Sequence, residues 1–130
     1  MSQKIDTIFK YNGKEYEFDI SDADFAEKLE SAADKMRAEE SKIPKTGLAS
    51  AIIKAQCKMI KTYFDNCLGK GAGVEICTDK NNLSICYDAY ESFLKFVREQ
   101  NNALLQAKNS IGNFSNRQQR RAASKATGKK

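Results

Sequence analysis

Two short runs of alternating apolar and polar residues open the chain, one on each side of Asn12-Gly13. This dipeptide is preferred in two-residue type I′ turns, because both of its positions take a positive φ angle. With these two residues as the loop, the expected cross-strand pairs are Tyr11 with Lys14, Lys10 with Glu15, Phe9 with Tyr16, Ile8 with Glu17, Thr7 with Phe18, Asp6 with Asp19 and Ile5 with Ile20. The larger apolar side chains then share one face. A two-stranded hairpin is marginal alone, so this face must pack on helices or on another chain.

A helical pattern of apolar residues follows the hairpin. Its apolar positions recur at near-helical spacing, at Phe25, Leu29, Ala33 and Met36. Ser21 can cap the start of this helix, because its hydroxyl can accept a hydrogen bond from a backbone N–H of the first turn. The helix is expected to stop before Ile43-Pro44, since a residue that precedes proline resists helical backbone. The pattern predicts an amphipathic helix of about five turns.

A second helix is predicted from about residue 48 to residue 68, and its apolar residues cover a broad face. These residues are Ile52, Ile53, Met59, Ile60, Tyr63, Phe64 and Cys67. So broad a face indicates a central helix with neighbours on more than one side. The glycines of "LGKGAG" end this helix and form a connector, which is followed by a short helical turn through Val74 to Cys77.

A third long helix follows, and its N-cap is expected at Asp79, Asn81 or Asn82. Its predicted buried stripe consists of Leu83, Cys86, Tyr90, Phe93 and Val97. Beyond Val97 the stripe weakens toward Leu104 and Leu105. Two interpretations stay open for that stretch: a core helix that frays into the tail, or an exposed helical extension available for self-association.

Length and composition fit a single folded domain, since the chain has 130 residues, 41% of them hydrophobic, and one proline. All 17 acidic residues lie at or before Glu99, whereas seven of the 22 basic residues follow it without opposing charges. We therefore expect an α+β fold, mostly α, with an N-terminal β-hairpin, three main helices and a disordered basic C-terminal tail. The expected boundaries are a compact domain over residues 1–108 and a flexible basic tail over residues 109–130.

The residue types that common enzymes need are missing or poorly placed. There is no histidine to act as a general base near neutral pH, and the acidic pairs of "SDAD" and "EES" fall at helix ends and on polar faces. No two cysteines form a C-x-x-C pair, so buried reduced thiols are favoured over a zinc site at Cys57, Cys67 and Cys86. The glycines of the connector lack the spacing of a phosphate-binding loop. We expect no catalysis, no cofactor and no metal.

No apolar run reaches the ~18 residues of a membrane span, and charges occupy the start of the chain where a signal peptide would be apolar. We expect a cytosolic protein without a membrane partner. The basic end, "SNRQQRRAASKATGKK", could bind phosphate backbones. No aromatic residues are interleaved among its charges to stack on bases, so docking on an acidic or helical protein surface is favoured over nucleic acid. The alternative is a small nucleic-acid-binding regulator that acts through this tail.

Four segments together resemble a family of small tail proteins of phages and prophages from Gram-positive hosts. They are "YNGKEYEFDISDADFAEKLE", "KIPKTGLASAIIKAQCKMI", "LGKGAGVEICTDKNNLSICYDAYESFLKFV" and "NRQQRR". The chain also resembles, more loosely, the tail assembly chaperones of long-tailed phages. The resemblance implies a non-catalytic role in building the phage tail, either in the host cytoplasm or as a component of the virion tail.

The same resemblance implies that the partners are other tail proteins. Such chaperones coat the long, helical tape measure protein until the tube subunits polymerise around it, and weak single sites allow the coat to be displaced. A homo-oligomer is a further option. The contact residues implied in this chain are Leu104, Leu105, Arg117, Arg120 and Arg121. The arginines would grip carboxylates or helix C-termini on the partner.

Overall fold

A computed structural model describes the backbone of residues 6–127 and the side chains of residues 6–107. Two strands come first, β1 (Ile8–Tyr11) and β2 (Lys14–Glu17). They are followed by α1 (Ala23–Lys42), α2 (Ala49–Leu68), the short α3 (Ala72–Cys77) and α4 (Leu83–Thr127). The predicted α+β fold, with a hairpin before three main helices, is confirmed.

The hairpin has the register that Asn12-Gly13 predicts. The strands are antiparallel and pair Ile8 with Glu17, Phe9 with Tyr16, Lys10 with Glu15 and Tyr11 with Lys14. Both turn residues have positive φ angles, 52° at Asn12 and 74° at Gly13. Beyond the strands the Phe18 N–H donates to the Thr7 carbonyl at 2.7 Å. The expected partner of Ile20, Ile5, lies outside the described residues.

The start of α1 differs by one residue from the prediction. Asp22, rather than Ser21, is the N-cap, and its Oδ1 accepts a hydrogen bond from the Asp24 N–H at 2.8 Å. Ser21 is occupied elsewhere, because its hydroxyl donates to Asp19 Oδ1 at 2.5 Å. The other end is as expected: α1 stops at Lys42, before Pro44. Helix α4 is capped by Asn82, whose Oδ1 accepts from the Ile85 N–H at 3.2 Å.

The core is built around α2, as its broad apolar face predicts. Helix α2 packs against α1, α3 and α4, and six of its residues are buried: Cys57, Met59, Ile60, Tyr63, Phe64 and Cys67. Phe93 of α4 lies at the centre of an aromatic cluster and makes edge-to-face contacts with Phe9 and Phe18 of the hairpin region and with Phe64 of α2. These contacts place the apolar face of the hairpin on the helices.

One buried amide joins the two ends of the hairpin to α4. Gln100 is 2% exposed. Its Nε2 donates to the carbonyls of Asp6 and Phe18, both at 2.6 Å, and its Oε1 accepts from the Ile20 N–H at 2.9 Å. All of its hydrogen-bonding groups are therefore used, as burial of an amide requires. Two tyrosine hydroxyls add contacts along the hairpin, from Tyr11 to Asp88 and from Tyr16 to Glu75.

Helix α3 approaches α2 so closely that one position excludes a side chain. A Cβ atom on Gly73 would lie 2.2 Å from the Lys61 carbonyl oxygen of α2. The Gly73 N–H donates to Asp65 Oδ1 of α2 at 2.7 Å. Glycine is needed here because the two backbones meet, while the carboxylate of Asp65 satisfies an N–H of the first turn of α3.

The predicted boundary at residue 108 does not coincide with the end of a helix. The backbone of α4 continues without a break to Thr127. The part of the expected tail that follows, residues 128–130, lies outside the described residues, as do all side chains from residue 108 onward. Flexibility of residues 109–130 in the free protein stays a prediction.

Candidate partner-binding surfaces

The first predicted contact residues lie where α4 leaves the core. Gln100 is the last buried residue among the described side chains, and Asn101 and Asn102 are both exposed. Leu104 is half-buried, and Leu105 is 51% exposed. An exposed leucine on its own is normal for a protein surface. Here it belongs to a helix whose backbone continues well beyond the folded body.

The three predicted contact arginines lie farther along the same helix. Arg117, Arg120 and Arg121 belong to the described backbone of α4, and their side chains lie outside the described set. Continuous helix from Leu104 to Arg121 places both groups of predicted contact residues on one element. At 1.5 Å per residue, the helix from residue 101 to Thr127 is about 40 Å long.

A groove of about 570 Å³ between α1 and α2 provides a second surface, which the sequence analysis missed. Four apolar side chains that line it are Met36 and Ile43 from the α1 side and Met59 and Tyr63 from α2. Met59 and Tyr63 are buried, whereas Met36 and Ile43 are half-buried. The apolar floor is therefore partly covered by the chain itself and partly open.

The rim of this groove is charged. Lys35 and Lys42 of α1 and Lys58 of α2 line it, together with one carboxylate, Glu39. Lys42 Nζ lies 3.4 Å from Glu39 Oε1, and both side chains are more than half exposed. Because that exposed pair is largely neutral at long range, the rim keeps a net positive charge from Lys35 and Lys58.

Periodicity could not reveal this groove. In the sequence, Met36 and Met59 are members of two separate helical stripes and count as core positions. Their grouping depends on how α1 and α2 pack side by side, which is tertiary information. The available signal was indirect: lysines lie directly before both methionines, at Lys35 and Lys58, so a positive charge adjoins each core stripe.

The cysteines are buried, as predicted for Cys57, Cys67 and Cys86, and Cys77 is buried as well. Burial raises the pKa of the Cys57 thiol to about 11, and its hydrogen bond to Cys86 acts in the same direction. Burial also raises the pKa of Cys67 to about 12. Thiols of this kind stay protonated near neutral pH, whereas metal binding and nucleophilic chemistry need the thiolate. Within residues 6–107, no group of three or more Cys, Asp, Glu or His side chains is arranged to hold a metal ion.

Across the described part of the chain, none of the helices combines the length and the apolar character that crossing a membrane requires. The described residues include two open helical surfaces, the exposed side of α4 near Leu105 and the lysine-rimmed groove between α1 and α2. Both are helical surfaces that suit side-by-side packing of another helix.

A family model matches most of the chain. Neither a curated protein nor a solved structure is significantly similar to the chain. The family model is described as "Family of unknown function (DUF6673)" and matches residues 12–124, from the turn of the hairpin to three residues before the end of α4. The chain therefore belongs to the DUF6673 family.

Proposed function

We propose that the chain is a non-catalytic assembly protein of phage tails, which binds helical tail proteins in the host cytoplasm and has the tape measure protein as its main partner. The choice of a tail partner rests on the resemblance of the four sequence segments named above. The choice of a binding role rests on the two helical surfaces of the described residues.

One observation carries the proposal: α4 is 45 residues long, and its last buried side chain among those described is Gln100. A helix gains most of its stability in a small protein from packing an apolar face. The stretch after Gln100 has Leu104 and Leu105 but no described buried side chain. A helix of this kind is suited to pack on another helix, either on a partner protein or on a second copy.

The charge distribution adds a second reason. The basic residues after Glu99 meet no acidic residue in that part of the sequence. Arg117, Arg120 and Arg121 can make bidentate contacts with carboxylates of a partner. Contacts made at a solvent-exposed surface are individually weak. Many weak copies along a repetitive partner would hold it in solution and still be displaced as the tube forms.

The alternative function, a small nucleic-acid-binding regulator, is favoured by the same unopposed basic residues. The two functions differ in their response to salt. Binding to DNA or RNA through this segment should weaken steeply as salt rises, because it depends on counterion release. Binding to a helical protein that includes apolar contacts should keep more of its affinity.

Co-expression of the chain with the tape measure protein of the same phage tests the proposal. The expected result is that the tape measure protein stays in the supernatant only when the chain is present, and that finished tails contain the tape measure protein but not the chain. The matched variants are Arg117→Ala/Arg120→Ala/Arg121→Ala and Lys125→Ala/Lys129→Ala/Lys130→Ala, which remove equal charge. The first should lose more of the effect. A tape measure protein that is equally soluble without the chain would reject the proposal.

A further inference from the structure

We infer that the groove between α1 and α2 is a docking site for a partner helix whose apolar stripe is flanked by Asp and Glu residues. Only the identity of the protein that supplies this helix rests on the proposed function. The chemistry of that helix is argued from the groove.

The shape of the groove matches a helix. Its lining runs from Ala32 to Pro44 on the α1 side and from Ala55 to Asn66 on α2. Each span covers about three helical turns, or about 16 Å at 1.5 Å per residue. Within each span the lining positions recur every three or four residues, so both walls are continuous stripes. A third helix laid along the pair would present anchors at i, i+3 or i+4, and i+7.

The floor suits apolar anchors of varied shape. Met36 and Met59 contribute flexible, polarisable side chains that adapt to different partners. A small polar ligand is a poorer fit, because such sites need polar groups placed to orient the ligand. Among the described residues, no buried side-chain nitrogen or oxygen is left without a hydrogen-bond partner.

The rim selects the sign of the partner's charge. Lys35 and Lys58 stand on opposite walls, one on α1 and one on α2, so they would flank a helix lying between them. Carboxylates beside its apolar stripe would meet both lysines. A second copy's basic segment, which lacks acidic residues, would be repelled by the same two charges. We therefore assign the groove to an acidic amphipathic helix rather than to the basic segment of a second copy.

Synthetic peptides of about 21 residues test the assignment directly. The first peptide has leucine at i, i+3, i+4 and i+7 with flanking glutamates, and the second has the same leucines with flanking lysines. Fluorescence anisotropy with the full chain should give tighter binding for the glutamate peptide. Lys35→Glu/Lys58→Glu should weaken that binding by about tenfold, because two attractions become repulsions. The matched control is Lys54→Glu/Lys95→Glu, which changes the charge equally at exposed lysines outside the groove and should have little effect.

Equal affinity for the two peptides, no binding of the glutamate peptide, or equal losses in the two double variants would each overturn the assignment. Circular dichroism of the variants checks that the exposed substitutions leave the fold intact. The same variants in the tape measure co-expression separate the two proposals. If the wild-type chain keeps the tape measure protein soluble and Lys35→Glu/Lys58→Glu does so equally well, the groove assignment fails while the proposed function stands. If the wild-type chain has no effect, the proposed function fails and the peptides still decide the groove.

Discussion

Replacing Gln100 by leucine should destabilise the fold by weakening the attachment of the hairpin to α4. The substitution keeps a similar volume but removes both donors and the acceptor of a side chain that is 2% exposed. The Phe18 carbonyl loses its partner in the interior, and the Ile20 N–H loses its partner at a part-buried position. The Asp6 carbonyl belongs to an exposed residue and can regain water. An orphaned buried group costs about 1–3 kcal/mol, and a part-buried one costs less because water can reach it.

The expected loss in the free energy of unfolding is about 3 kcal/mol, after a small gain from the apolar leucine. This loss is a large share of the total free energy of unfolding of a domain, which is about 5–15 kcal/mol. Urea unfolding followed by circular dichroism measures it. Gln106→Leu is the matched control, because Gln106 is the same residue type on the same helix and is exposed. It should change the free energy of unfolding by less than about 0.5 kcal/mol.

Gln100→Glu separates the loss of hydrogen bonds from a packing effect. The introduced carboxylate would face the Asp6 and Phe18 carbonyls, and burial would raise its pKa. A group whose pKa is raised in the folded state contributes stability below its unfolded pKa and loses it as pH rises. This variant should therefore be closer to wild type in acid than at neutral pH. Equal effects of Gln100→Leu and Gln106→Leu would refute the role of the buried amide.

Three further predictions concern Gly73, Tyr11 and the buried cysteines. Gly73→Ala should lower the free energy of unfolding by about 1–3 kcal/mol, because the alanine Cβ would lie 2.2 Å from the Lys61 carbonyl oxygen. Val74→Ala, at the neighbouring exposed position, is the control and should change it little. Equal urea midpoints for the two variants would contradict this. Burial and the hydrogen bond that the Tyr11 hydroxyl donates to Asp88 raise the pKa of Tyr11 to about 12. The stability from this group is complete below the ordinary pKa of 10.0 and should fall as pH rises toward 12, so the free energy of unfolding should fall less steeply in Tyr11→Phe. Parallel curves of unfolding free energy against pH for the two proteins would contradict this. The buried cysteines should react with a thiol reagent at neutral pH only as fast as the protein opens, and reaction at the rate of a free thiol would show that they are accessible.

The parts of the fold with strong local signals could be predicted from the sequence. Asn12-Gly13 fixes the register of the hairpin because few other dipeptides take two positive φ angles. Pro44 and Gly69 mark where α1 and α2 end. The cap of α1 was predicted one residue early, because Ser21 and Asp22 are both good caps. The choice between them depends on Asp19, which accepts the Ser21 hydroxyl.

The parts that depend on tertiary contacts could not be predicted. Gln100 occupies the next core position after Val97 on the apolar stripe of α4. Because glutamine is polar, the sequence pattern predicts that the buried stripe weakens there. Its burial makes sense only because the hairpin ends, distant in sequence, bring three backbone groups to it. The groove is similar: Lys35 and Lys58 become one rim only when α1 and α2 pack side by side.

The central claim is that many copies of the chain bind weakly along one helical tail protein. Sedimentation velocity of the purified chain mixed with the purified tape measure protein, or with fragments of increasing length, measures this directly. The account predicts several copies per partner, a copy number that rises with fragment length, and a single-site affinity far weaker than that of the full assembly. A single tight copy at every length, or no complex, would contradict it.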